Sequence, residues 1–201
     1  MRLFVAVEIG DTLAARAGDV SRELQRRAAE AAPRAKITWV PPDRLHLTIR
    51  FIGEVDDANA AAVCKALDPP IPVVHFDLGL AGAGAFSKSG SPRVLWIGVA
   101  DGREQLVAIE REVTLRLAPL GVPEEDRAYS PHLTLARVRE PAGLRTATLL
   151  NGLTDRHVGT VRIDAITLFH SKLSPKGPAY TPLLRVALGG PAGGRQDPPL
   201  H

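Results

Sequence analysis

Two stretches decide the fold: "RLHLTIRF" at 44–51 and "YSPHLTLAR" at 129–137. In each, His-Leu-Thr opens an alternation of apolar residues that reads as a half-buried strand. Side chains alternate faces along a strand, so His46 and Thr48 share one face while Leu47 and Ile49 take the other. His132 and Thr134 do the same, with Leu133 and Leu135 behind them. One strand histidine is ordinarily a hydrogen-bonded structural residue. Two His-Leu-Thr strands in one small chain call for a shared reason.

The segments leading into these strands match in order. "LFVAVEI" at 3–9 predicts a core strand bounded by Gly10. A helix follows, capped by Asp11 or Thr12, with Leu13, Ala17, Val20, Leu24 and Ala28 at helical spacing, and Pro33 stops it. An extended "ITWV" and a "PPD" turn lead to His46, and Gly53 ends that strand. From Val94 to Val138 the order recurs: a strand in "RVLWIGVA", a helix capped by Asp101 that carries Leu106, Ile109, Val113 and Leu117, an irregular approach, and the second His-Leu-Thr strand.

Between the halves lie a helix over 57–67, a proline-rich link, a strand over 75–82 and "GAGAFSKSGSP", which reads as a loop. Late strands fall in "VRIDAITLFHS" and "YTPLLRVAL". The expected fold is α+β: a bilobal, pseudo-twofold duplicated unit whose two antiparallel sheets face a central cleft, with helices outside. Residues 1–188 make a single domain in this reading, and "GGPAGGRQDPPLH" at 189–201, which lacks apolar periodicity, reads as a disordered tail.

Composition removes several function classes. The 201 residues carry 25 Lys plus Arg against 22 Asp plus Glu, a net charge of +3. That excess tolerates an anionic partner without forming the dense basic stripe of a duplex-DNA binder. A single cysteine, Cys64, excludes an intrachain disulfide or a cysteine-based zinc cluster and reads as helix packing. No apolar run of about 18 residues is present, and the N-terminus enters a strand without a leader. A soluble cytoplasmic protein with no membrane partner is expected, and, lacking a coiled-coil pattern, a monomer.

Two imidazoles and two hydroxyls around one volume suit in-line displacement at phosphorus. With a pKa of about 6.5, one imidazole can take a proton from the attacking oxygen while its twin gives one to the leaving oxygen. Threonine hydroxyls and an arginine would hold the non-bridging oxygens. The rival use of histidines, metal binding, lacks spacing: no His-x-x-x-His or His-Glu-x-x-His occurs. No metal and no cofactor is expected. His75, His157, His170 and His201 read as structural or surface residues.

With these motifs in order, the chain resembles the 2H phosphoesterase superfamily, and more narrowly the RNA 2′,3′-cyclic phosphodiesterases once called 2′–5′ RNA ligases. The resemblance rests on "RLFVAVEI", "LHLTIRFIGEV", "AFSKSGSPRVLWIGV", "SPHLTLAR" and "SKLSPKGPAY". It implies metal-independent hydrolysis of RNA or nucleoside 2′,3′-cyclic phosphates to 2′-phosphates, with His46 as proton donor and His132 as proton acceptor. The residues alone leave that order open, since the pair is symmetric. The resemblance further implies Thr48 and Thr134 on phosphate oxygens, Arg137 as a phosphate contact and Phe4 as a base-stacking aromatic.

Alternation puts Arg137 on the wrong face, so its role needs a bulge or a long reach. Arg50 shares the His46 face by alternation and reads as an exposed arginine. Lys172, Lys176 and Tyr180 could border the cleft. Two other readings of the same cleft are 2′–5′ ligation of RNA and binding of RNA ends without catalysis.

Overall fold

A computed structural model of the chain describes residues 1–125, 127–174 and 177–189. Strand β1 (Arg2–Glu8) buries Leu3 through Val7 in succession, and α1 (Gly10–Ala31) follows it directly. The helix buries Leu13, Ala17, Val20, Leu24 and Ala28, the face the spacing predicts. Its start differs: neither Asp11 nor Thr12 caps it, and Ile9 occupies the N-cap without a side-chain bond. Gly10, at φ 67°, makes the turn out of the strand. The second repeat uses the same device. β5 (Ser91–Asp101) reaches α3 (Arg103–Leu117) through Gly102 at φ 84°, and Asp101 does not cap. Glycine enters this left-handed region without a Cβ penalty, so the turn needs no capping side chain.

The first half continues through β2 (Lys36–Trp39), a 3₁₀ turn (Pro42–Arg44), β3 (His46–Glu54) and α2 (Asp57–Leu67). β4 (Phe76–Lys88) then corrects the expectation of a loop at "GAGAFSKSGSP". The Gly/Ala-rich stretch is strand, paired with β5 and turned by Ser89 and Gly90 alone. A Cβ added at Gly84 would lie 2.1 Å from Trp96 Cη2. The glycine makes room for an indole on the neighbouring strand rather than breaking the strand.

The second half adds β6 (His132–Glu140), a short α4 (Thr146–Leu150) that the periodicity does not predict, β7 (His157–Ile163), β8 (Ala165–Ser174) and β9 (Gly177–Ala187). "VRIDAITLFHS" is thus two strands meeting at Asp164. They belong to different sheets, a change of partner that alternation cannot reveal. The last residues of the chain, from 190, and Lys176 lie outside the described residues.

The sheets are antiparallel throughout, with orders β3-β1-β8-β9 and β2-β6-β5-β4-β7. β3-β1-β8-β9 corresponds to β6-β5-β4-β7, which is the expected duplication. The repeats interlace. β2, from the first half, pairs with β6 of the second. α1 leaves one sheet and packs on β7 of the other, while α3 packs on β3 in return. α2 packs beside α3 and α4 beside α1. The helices cover the outer faces, and one apolar core runs from Leu3 to Leu188 through every layer. The inner faces are left to the cleft.

Candidate active site

β3 and β6 approach within 8 Å (Cα–Cα) where the two sheets meet, and both strands carry the same irregularity. Along β1, Val5 pairs with Arg50 and Ala6 with Thr48, which leaves Ile49 as an inserted residue. Along β5, Leu95 pairs with Ala136 and Trp96 with Thr134, which leaves Leu135 inserted. A bulge shifts the alternation by one residue. Ile49 and Arg50 are therefore both buried, as are Leu135 and Ala136. Phe51 and Arg137 are brought round to the inner face.

The bulge resolves two expectations. Arg137 lies on the face of His132 and Thr134 without any long reach. Arg50, expected on the His46 face and exposed, is instead 3% exposed on the helix side. Its guanidinium donates to the Pro123 carbonyl and faces a Glu110 carboxylate oxygen of α3 at 3.6 Å. Among the described residues its Nε is buried without a partner.

A cavity of about 430 Å³ opens between the inner faces. His46, Thr48, Thr134 and Arg137 line it, together with Phe4, Phe51, Tyr180, Arg2 and Arg44. His132 does not line this volume. It stands two residues before Thr134 on the same strand face, against Phe86 and Trp96 at ring-centroid distances of 5.0 and 6.5 Å. His46 is flanked in a similar way by Phe4 at 5.0 Å and Tyr180 at 5.2 Å. Phe4 stacks on Phe169 at 5.3 Å and is 3% exposed, so it underlies the His46 imidazole, while Phe51 presents a free aromatic face at 48% exposure.

Both imidazoles are oriented alike. His46 Nδ1 lies 2.8 Å from the Arg44 carbonyl oxygen, and His132 Nδ1 lies 2.7 Å from that of Ser130. A carbonyl only accepts, so each Nδ1 carries the proton and donates it, leaving Nε2 for a ligand. Burial pushes both pKa values below the ordinary histidine value. The remaining influences differ. The backbone bond and the Glu8 carboxylate pull His46 back up. At His132 the backbone bond also raises, but Arg137 adds to the depression. Glu8, opposite His46 in the β1–β3 ladder, accepts from the Thr167 hydroxyl at 2.8 Å.

The approach to each histidine is bonded to the other histidine's strand. Val40 N–H donates to the Leu135 carbonyl at 2.8 Å, at the β6 bulge. Tyr129 Oη donates to the Thr48 carbonyl at 3.0 Å, beside the β3 bulge. Burial raises the Tyr129 pKa far above its usual value, so the hydroxyl stays a donor.

The sequence does not point to Arg2, Arg44, Phe51 or Glu8. Phe51 is hidden from it because the bulge is a property of strand pairing. Lys172 is exposed on β8 outside the cavity lining, whereas Tyr180 lines it. Among the described residues, no group of three or more His, Cys, Asp or Glu is placed to hold a metal ion, and no helix is long and apolar enough to cross a membrane.

Comparison with known proteins agrees with this architecture. A family model described as LigT like Phosphoesterase matches the chain twice, over 13–96 and 97–180. An RNA 2′,3′-cyclic phosphodiesterase of Aeropyrum pernix is 35% identical over 168 residues, covering 83% of this chain and 95% of its own. One from Archaeoglobus fulgidus is 32% identical, covering 91% and 98%. Among solved structures, a Thermus thermophilus protein superposes with TM-score 0.67 at 28% identity, covering 94% of this chain and 99% of its own. E. coli LigT complexed with 3′-AMP does so with TM-score 0.66 at 26% identity, covering 93% and 97%.

Proposed function

The chain belongs to the LigT-like phosphoesterase family, and from that premise we propose that it is an RNA 2′,3′-cyclic phosphodiesterase, a phosphoric diester hydrolase that opens a terminal cyclic phosphate to a 2′-phosphate. The observation that best supports this reading is one cavity gathering His46, Thr48, Thr134 and Arg137 from two equally bulged strands.

The chemistry follows from the free Nε2 atoms. His132, whose protonated form burial and Arg137 both disfavour, accepts a proton from water as its oxygen attacks phosphorus. His46, whose tendency to hold a proton is supported by Glu8, donates one to O3′ as the P–O3′ bond breaks. One water is consumed, one P–O bond forms and one is lost, leaving a 2′-phosphate and a 3′-hydroxyl. Thr48, Thr134 and Arg137 hold the non-bridging oxygens, where negative charge grows, so proton transfer and hydrogen bonding carry the reaction without a metal ion. Phe4 supports the His46 ring from below and borders the space for a base.

The test is adenosine 2′,3′-cyclic phosphate incubated with protein in excess EDTA. Turnover to the 2′-phosphate is expected, with His46→Ala and His132→Ala each lowering kcat/KM by on the order of 10²–10⁴. No turnover, full activity in both variants or a 3′-phosphate product would overturn the reading. A 2′–5′-joined product from cyclic-phosphate and 5′-hydroxyl RNA ends would show that a hydroxyl can take the place of water.

A further inference from the structure

Three arginines meet at one cavity with no carboxylate among the described residues to answer them. Arg2 at the start of β1, Arg44 in the 3₁₀ turn and Arg137 past the β6 bulge all line it. No acidic residue among the described residues does. None of the three forms an ion pair among the described residues. Glu54, opposite Arg2 in the β1–β3 ladder, is not joined to it. The three charges also converge in effect: each acts electrostatically on the Tyr180 hydroxyl, opposing the rise that burial imposes there. Like charges gathered without a counter-ion repel one another. An anion between them removes that cost.

Counting charge identifies the anion. A 2′,3′-cyclic phosphate is a diester with a single negative charge. Arg137 and the two threonines match that charge and its oxygens. Arg2 and Arg44 remain, both on the His46 side of the cleft and both lining the same cavity as Phe51, whose exposed ring offers a base a stacking face.

We propose that Arg2 and Arg44 form a subsite for the phosphate on the 5′ side of the terminal nucleoside, whose base rests on Phe51. This builds on the cyclic phosphodiesterase reading and narrows it: the preferred substrate is an RNA end, or a nucleotide bearing a 5′-phosphate, rather than a nucleoside cyclic phosphate with a free 5′-hydroxyl. A flexible arginine at each of two positions suits a backbone phosphate, which carries charge but no sequence information.

The test reads binding, so it does not depend on turnover. Isothermal titration compares adenosine 2′-phosphate with adenosine 2′,5′-bisphosphate on the parent protein, on the double variant Arg2→Gln/Arg44→Gln and on Arg111→Gln, an exposed arginine of α3. The bisphosphate is expected to bind about tenfold more tightly to the parent and to Arg111→Gln, with little preference in the double variant. For the parent, the slope of log K against log salt should be steeper for the bisphosphate, by about 0.7 for each phosphate–arginine contact. Equal affinities, a preference that survives in the double variant or one lost equally in Arg111→Gln would overturn the subsite. Absence of cyclic-phosphate hydrolysis alongside an intact bisphosphate preference would instead overturn the catalytic reading and leave the subsite standing.

Discussion

Phe51 and Arg137 hold the same place in two related strands: each comes five residues after its histidine, just past an inserted residue, and each is turned into the shared cavity by that bulge. The duplication has placed an aromatic at one position and a cation at its twin. Their loss should therefore differ in kind. Arg137→Ala is expected to lower kcat by on the order of 10²–10³, because a cation at a non-bridging oxygen counts most where charge develops. Phe51→Ala is expected to raise KM with kcat nearly kept, by a factor set by about 1–3 kcal/mol of base stacking. Steady-state kinetics on a cyclic-phosphate dinucleotide separates the two.

Glu8 gives the histidine pair an electrical direction. It favours the protonated form of His46, whereas Arg137 disfavours that of His132. With the proposed roles, activity in kcat/KM should be lost on the alkaline side as the donor deprotonates and on the acid side as the acceptor protonates. Since burial lowers both values, the optimum should fall on the acid side of about 6.5, the ordinary histidine value. Glu8→Gln should move the alkaline limb further down, and Arg137→Gln should move the acid limb up. A full pH–rate profile for each variant checks both directions.

Tyr129 is removable where its counterpart Val40 is not, because one link is a side-chain hydroxyl and the other a backbone amide. Tyr129→Phe keeps the ring and deletes only the bond to the Thr48 carbonyl. A stability loss of about 1 kcal/mol is expected. A larger effect is expected on kcat than on KM, because the two histidine strands lose a direct tie. Comparing kinetics with a denaturation midpoint distinguishes misplacement from unfolding.

Arg50 is a buried charge answered by Glu110 and the Pro123 carbonyl. Arg50→Met leaves the Glu110 carboxylate without its cation and with only the Thr114 hydroxyl as donor, and breaking such a pair costs about 3 kcal/mol, or a Tm lower by roughly 6–12 °C. Calorimetry on Arg50→Met, Glu110→Gln and the double variant checks this. The double variant should recover part of the loss.

Gly84→Ala tests the strand that the sequence conceals. The added methyl would meet the Trp96 ring, so overpacking of about 1–3 kcal/mol is expected. Trp96 would also move relative to His132, and its fluorescence should change.

The legible parts of this molecule are those governed by period. The buried face of α1 and the face shared by His46 and Thr48 follow from alternation or helical spacing, and so does the repeat itself. What escapes lies in pairing between strands. Glycines at 82–90 read as breakers because composition does not show that a tryptophan lies across Gly84. Asp164 is not visible as the point where the chain changes sheets, because side-chain pattern does not say which neighbour a strand pairs with. Resemblance singles out Arg137 while alternation misplaces its face, and Arg50 is misplaced for the same reason: one inserted residue reverses the assignments that follow it. Asp11 and Asp101 look like helix caps, whereas left-handed glycines make both turns.

The exchange of elements between the halves has a mechanical consequence. With β2 stitched to the opposite sheet and each long helix lying on the other repeat, neither half can swing away as a separate jaw without tearing its own covering. On the proposed mechanism, substrate would therefore enter a groove whose width is set at folding, and the spacing between the two histidines would be inherited rather than produced by closure. Burst and single-turnover traces should accordingly lack a slow isomerisation before bond cleavage, and the two halves should melt in one transition.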